Sequence, residues 1–356
     1  MATKQRILRV FVLGAVVGIF ATVPRILSNN RKFAAEAPVD FPGGFDGTLR
    51  GQAAYPKPRD LWVSLVAVVG FIIIRVAVKR PFMSVGEIVV AHKEKWSSRE
   101  RHERVERFAA VAFKLVYFCI ESFAGYYFFI QYDFFLDVLG GTGRSEDVFS
   151  NWPYQPIYNG QQYYFLIHFG YNLHNLIYQS IMIKRRNDFL EMTLHHLCTT
   201  FLGFIAFLLN FQHQGMMIIF LHDISDIFVY AVKAAVDTGK TSLTLTCYAL
   251  MLLSWSYTRL YVYPTRFIWT SIYFDRIGKP EIVFLVLLLC LHIYWFSLFL
   301  LMGYNFATKG EQNDIINKIE VNDDPISVAK SAKKASISAR KAVEEMNQRD
   351  HIKKRA

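Results

Sequence analysis

Apolar residues fall in blocks along this chain, separated by polar, Lys- and Arg-rich stretches. Eight blocks approach the roughly 20 residues a helix needs to cross a hydrocarbon core: Ile7 to Val23, Leu61 to Val78, Phe108 to Ile130, Tyr163 to Ile183, Leu190 to Leu209, Gly215 to Val236, Ser242 to Tyr263 and Ile282 to Phe306. The pattern predicts an all-α polytopic membrane protein with about eight transmembrane helices, because a spanning segment must satisfy its backbone internally. The first block is followed by "PRILSNNRK" rather than by a small-residue cleavage site, so it is expected to stay as an anchor.

Polar residues inside the blocks change the picture. The fifth, "LEMTLHHLCTTFLGF", carries adjacent His195 and His196, with Thr199 and Thr200 one turn further on. The sixth carries "HDISD", His222 to Asp226, with Lys233 two turns beyond. His222 and Asp226 are four apart and Asp223 and Asp226 three apart, spacings that share a helix face. Each ionisable group near a bilayer centre costs about 2.5–3.5 kcal/mol on insertion scales, so five on consecutive helices cost about 10 kcal/mol or more. Packing alone does not justify that cost, and the cluster predicts a functional site. Glu121, His168, His174 and His292 stand alone on other spans and read as polar partners between helices.

Several chemistries could use such a cluster. Three histidines and two aspartates could ligate a metal, but the chain has one HH pair and none of the HxxxH boxes of membrane di-iron enzymes. No GxSxG nucleophile, CxxC pair or DHHC-like cluster is present. A transporter or proton relay also uses buried His and Asp, and it is the non-enzymatic alternative.

Composition supports the membrane reading: 53% of residues are hydrophobic, 16% are aromatic and mean hydropathy is +0.22. The four cysteines, Cys119, Cys198, Cys247 and Cys290, lie inside apolar blocks, where they act as small hydrophobes rather than as a disulfide framework. The net charge of +11 is distributed as the positive-inside rule requires, so it predicts no nucleic-acid partner. "KEKWSSRERHERVER", "KRRND" and the tail are basic, whereas the loop after the third span is acidic. Both termini are therefore expected on the cytosolic side, although Arg25 to Asp60 and Pro264 to Pro280 place basic residues on the opposite face. Three regions follow: 1–106, two spans and a basic cytosolic segment; 107–309, six spans holding the polar cluster; and 310–356, a basic cytosolic tail expected to lack stable structure. Lys353 and Lys354 in "KKRA" match a dilysine retrieval signal, which predicts the endoplasmic reticulum and recognition by coat proteins.

The order "HHLCT", Gly215, "HDISD", Lys233 resembles the signature of ceramide synthases, the longevity-assurance branch of the TLC-domain family. The resemblance extends through "RNDFLEM" and "SYTRLYVYP". Ala206, His213 and Tyr230 depart from common choices in that family and put accessory contacts in question. The resemblance implies a six-helix TLC-type bundle over 107–309 that encloses an intramembrane site. It implies an acyltransferase joining a fatty acyl-CoA to the amine of a sphingoid base, giving a ceramide or dihydroceramide and CoA. The expected catalytic residues are His195, His196, His222, Asp223 and Asp226, and the expected substrate-binding residues are Thr199, Ser225, Lys233 and Arg259. Neutral imidazole suits base or nucleophilic chemistry near pH 7, so His195 is expected either to accept the acyl group or to act as base. No metal or other cofactor is expected, acyl-CoA being a substrate. The CoA head is expected near "KRRND" and Lys240, and the segment 264–280 is implicated in chain length in relatives. Membrane lipids are expected partners, with room left for a homodimer or a small regulatory subunit. The alternative within the family is a non-enzymatic lipid sensor or transporter.

Overall fold

Every apolar block becomes helical. The computed structural model of the chain describes residues 2–41, 43–93, 96–182, 188–274 and 279–309, so "KRRND" up to Asn187, part of 264–280 and the tail with Lys353 and Lys354 lie outside the described residues. Among the described residues the helices are α1 (Ala2–Ala35), α2 (Trp62–Val89), α3 (Ser98–Phe129), α4 (Asn159–Met182), α5 (Phe189–Leu208), α6 (Gln212–Thr238), α7 (Thr241–Trp255), α8 (Trp269–Phe274) and α9 (Lys279–Lys309). Between α7 and α8, Ser256–Ile268 continues as π-helix, so 241–274 is one rod whose hydrogen bonding widens in the middle.

Among the described residues six helices are long and apolar enough to cross a membrane: α1, α2, α3, α5, α6 and α9. The chain is an all-α polytopic membrane protein. The sequence blocks on α4 and α7 fall outside those six for different reasons. On α4 the residues Gln161, His168, Asn172, His174, Asn175 and Gln179 lower the mean hydropathy, and α7 is only 15 residues long before the π-helical segment. Leu65, Val66, Val69, Ile72, Ile73 and Val76 on α2 are all exposed. In water such a surface would aggregate; in a bilayer it is the solvated one.

Packing places α5 and α6 at the centre. α3 lies along α6, α2 packs on α3 and α4, α1 and α9 flank α5, and the rod packs on α6. Gly215 of the "HHLCT…G…HDISD" pattern explains one close approach: a Cβ there would stand 2.8 Å from Phe165 and 3.1 Å from Ala206. Ser97 caps α3 by accepting the Glu100 N–H at 3.1 Å. At the same end Asp237, fully buried near the end of α6, pairs with Arg107 and lies 3.6 Å from Arg104.

The opposite end is closed by loops pinned through side-chain amides. Asn210, between α5 and α6, has φ +58, a left-handed backbone that Asn tolerates. Its Nδ2 donates to Pro153 O at 2.9 Å and Gln155 O at 3.1 Å. Asn30 on α1 donates to Pro56 O at 2.9 Å and Leu208 O at 2.7 Å, and so ties the first helix to the end of α5. Asn30→Leu leaves both buried carbonyls short of a donor. It should cost about 2 kcal/mol, read as a melting temperature lower by several degrees in detergent, with exposed Ser28→Ala unchanged.

Candidate active site

The lining of one cavity of about 190 Å³ runs from Asp188, just before α5, to Gly203 on that helix and from Ile218 to Lys233 on α6. Each stretch covers fifteen residue steps, about 22 Å at 1.5 Å per residue, so the cavity is long. Its walls are largely apolar, with Phe165, Phe169, Leu202 and Leu288 among them, and polar groups converge in the middle. That is the composition of a site for a ligand with a long apolar chain and one polar end.

Adjacent positions on α5 point about 100 degrees apart, yet His195 and His196 both line the cavity because α3, α4, α6 and α9 close around them. Their ring centroids are 5.4 Å apart, and the His195 ring meets Trp295 of α9 edge-on at 5.2 Å. Nδ1 of each is buried and makes no hydrogen bond. Thr199 also lines the cavity, but its hydroxyl donates back to His195 O (3.1 Å) and His196 O (3.2 Å) of its own helix.

On α6, His222, Asp223, Asp226 and Lys233 line the same cavity. Ser225 does not. It is fully buried and accepts from Arg259 Nε at 2.7 Å. Arg259 is itself 3% exposed, donates to His222 O at 3.1 Å, pairs with Asp226 and lies with its guanidinium 4.0 Å from the Trp255 ring centroid. Arg259, expected among the substrate-binding residues, is paired with Asp226. The side chain enters from the π-helical segment and fixes α6 through three residues, two of them in the HDISD run by side chain. Lys233 Nζ lies 5.1 Å from the Tyr230 ring centroid, and the Tyr230 hydroxyl accepts from Lys114 of α3 at 3.2 Å. Tyr230 therefore gathers two cations at the same end of the cavity as Asp188.

His292, read from sequence as a packing residue, belongs to this centre. His222 Nδ1 stands 2.6 Å from Ile218 O, and a carbonyl only accepts, so Nδ1 carries the proton. His222 Nε2 then faces His292 Nε2 at 3.3 Å as the acceptor of its N–H. His292 Nδ1, the unprotonated nitrogen in that tautomer, makes no hydrogen bond. Trp255 and Tyr263 hold the pair in place, with ring centroids 5.8 Å and 5.3 Å from His292. A period-3.6 reading of one helix cannot find a partner seventy residues away. Its only local signal was a histidine in the otherwise apolar run "LLLCLHIYW".

Paired histidines on one helix and a His/Asp set on the next line one long, apolar-walled cavity of a polytopic membrane protein. The TLC domain family matches residues 107–301, more than half of the chain, and the chain belongs to that family. Its relatives include ceramide synthase hyl-2 of Caenorhabditis elegans, 25% identical over 284 residues, 73% of this chain and 84% of the relative. Ceramide synthase LOH2 of Arabidopsis thaliana is 30% identical over 223 residues, 58% of this chain and 75% of the relative. Ceramide synthase 4 of Mus musculus is 33% identical over 193 residues, and there the match spans 50% of this chain and about half, 48%, of the relative.

Proposed function

We propose that the chain is a ceramide synthase: an acyl-CoA-dependent N-acyltransferase that joins a fatty acyl group to the amine of a sphingoid base. One observation carries the reading. Two histidines of α5 and the His/Asp set of α6 converge on a single long cavity with apolar walls, in a chain whose relatives bear the name ceramide synthase.

The residues supply the steps as follows. Imidazole nitrogen of His195 attacks the thioester carbonyl; the C–N bond forms, the C–S bond breaks, and CoA leaves as thiolate. The amine of the base, having lost a proton to a carboxylate of the site, attacks the acyl-imidazole, and the amide forms as His195 is released. The proton liberated from nitrogen returns the imidazole to its neutral state or protonates the thiolate. His222, with Nδ1–H on Ile218 O and Nε2 engaged by His292, is held as a fixed neutral ring beside the reacting atoms, while Arg259 and Ser225 hold the HDISD turn in register. His196 orients the substrates. The same groups serve a direct route in which His195 acts as base in a ternary complex. The apolar walls exclude water, which would otherwise hydrolyse the acyl-imidazole. Neither route calls for a metal or redox cofactor. Lys233 and Lys114, gathered by Tyr230, suit the phosphates of CoA at that end of the cavity. Residence in the endoplasmic reticulum, with that end facing the cytosol, belongs to the same reading.

The test is an assay of purified protein with sphinganine and acyl-CoAs of graded length, with and without chelator. N-acyl sphinganine and free CoA in equal amounts, unchanged by chelator, are expected. No product at any chain length would favour a lipid sensor or transporter, and loss of product on chelation would point to a metal.

A further inference from the structure

Glu121 on α3, His168 on α4 and Asp223 on α6 bring one ligand atom each to within 4.8 Å of one another. All three are buried, at 8%, 5% and 2% exposure. Asp223 Oδ2 makes no hydrogen bond and stands 3.5 Å from His168 Nδ1, which is also 3.2 Å from the Tyr117 hydroxyl. His168 and Asp223 line the cavity that holds His195 and His196. Among the described residues no Lys or Arg pairs with Glu121 or Asp223, because Arg259 is committed to Asp226. Two carboxylates and an imidazole are thus buried without a Lys or Arg in direct contact among the described residues. Such a group is costly unless something positive occupies it.

We infer that Glu121, His168 and Asp223 form a cation-binding subsite that takes the primary ammonium of the long-chain base. This rests on the function proposed above. An ammonium hydrogen-bonded at about 2.8 Å to each of three acceptors bridges atoms up to about 4.6 Å apart in tetrahedral geometry. A first-row metal holding the same atoms at about 2.0–2.2 Å would draw them to roughly 3.4 Å. The three atoms lie within 4.8 Å of one another, a span that reaches the ammonium figure, while the His168–Asp223 pair at 3.5 Å must open by about 1 Å to admit the ammonium, so a co-purifying metal is the alternative that the test decides. The subsite also divides the labour: the amine enters between α3, α4 and α6, and the acyl group is held from α5. Asp223, shared between subsite and reaction centre, is the carboxylate that takes the ammonium proton before attack. Glu121 and His168 are binding residues, and they explain polar side chains on α3 and α4 that the motif on α5 and α6 leaves unused.

The test compares wild type with Glu121→Gln and Glu121→Asp in detergent, using sphinganine and octadecane-1,3-diol, which keeps the chain and hydroxyls but lacks the amine. Glu121→Gln should weaken sphinganine binding about tenfold or more, with Glu121→Asp intermediate, diol binding unchanged and the KM for acyl-CoA within twofold. If Glu121→Gln melts far below wild type, His168→Gln carries the same comparison. Equal loss for sphinganine and diol, or no loss for either, overturns the subsite. So does a stoichiometric transition metal that co-purifies with wild type and is lost in Glu121→Gln. Wild type that binds sphinganine through Glu121 but makes no N-acyl product would keep the subsite and sink the proposed reaction, so the two failures are distinguishable.

Discussion

His195→Ala lowers N-acylation of sphinganine at least about a thousandfold, the loss typical of removing a nucleophile or its base, while the protein stays folded. The side chain lines the cavity, and its buried Nδ1 bonds to nothing, so truncation breaks no hydrogen bond through that atom. What goes is the edge-on packing with Trp295, which amounts to about 1 kcal/mol. His196→Ala should act differently. The residue is 7% exposed and lines the cavity beside His195 as the substrate-orienting histidine, so the change should raise KM more than it lowers kcat. Steady-state kinetics on the two variants, with melting curves alongside, separate the roles. Equal kcat losses in both would dissolve the distinction between them.

The second large effect falls on stability as well as activity. Arg259→Met leaves Asp226 without its cation in a buried site, removes the donor from Ser225 Oγ, and leaves His222 O with the Ser225 hydroxyl as its remaining side-chain donor. Breaking a buried pair from one side costs about 3–5 kcal/mol. Asp226 keeps 24% side-chain exposure, which moves the expectation to the lower end, about 3 kcal/mol. A large fall in melting temperature and no measurable turnover are expected. The double variant Arg259→Met/Asp226→Leu removes both charges, so it should recover most of the stability without recovering activity. Recovery of activity in the double variant would mean that the pair only supports the fold.

Much of this arrangement was legible because membrane physics writes it locally. A helix in lipid must be a long apolar block, so the presence of α1, α2, α3, α5, α6 and α9 follows from the blocks, whereas α1 and α2 run on past their blocks and α3 begins within the basic segment before its own. The His/Asp cluster stood out for the same reason: charge inside such a block is costly and visible. Gly215 and Ala206 also make sense in hindsight, since small residues let helices approach.

The remainder depends on which helix faces which. His292 and His222 meet across two helices, and Glu121, His168 and Asp223 come from three; nothing in the spacing along one helix encodes those meetings. The π-helical turn that aims Arg259 at Asp226 is a choice of i→i+5 over i→i+4 bonding, and "SYTRLYVYP" reads as ordinary helix ended by proline. The resemblance made Thr199 and Ser225 expected substrate-binding residues. The structure turns the Thr199 hydroxyl onto its own backbone and the Ser225 hydroxyl onto Arg259.

The most direct measurement of the central claim is the mass of the protein after incubation with acyl-CoA alone, followed by peptide mapping. The account predicts one added acyl group per chain on the peptide containing His195, its disappearance when sphinganine is added with N-acyl sphinganine formed in equal amount, and no adduct in His195→Ala. An adduct on a peptide without His195 or His196, or full turnover by His195→Ala, would contradict it.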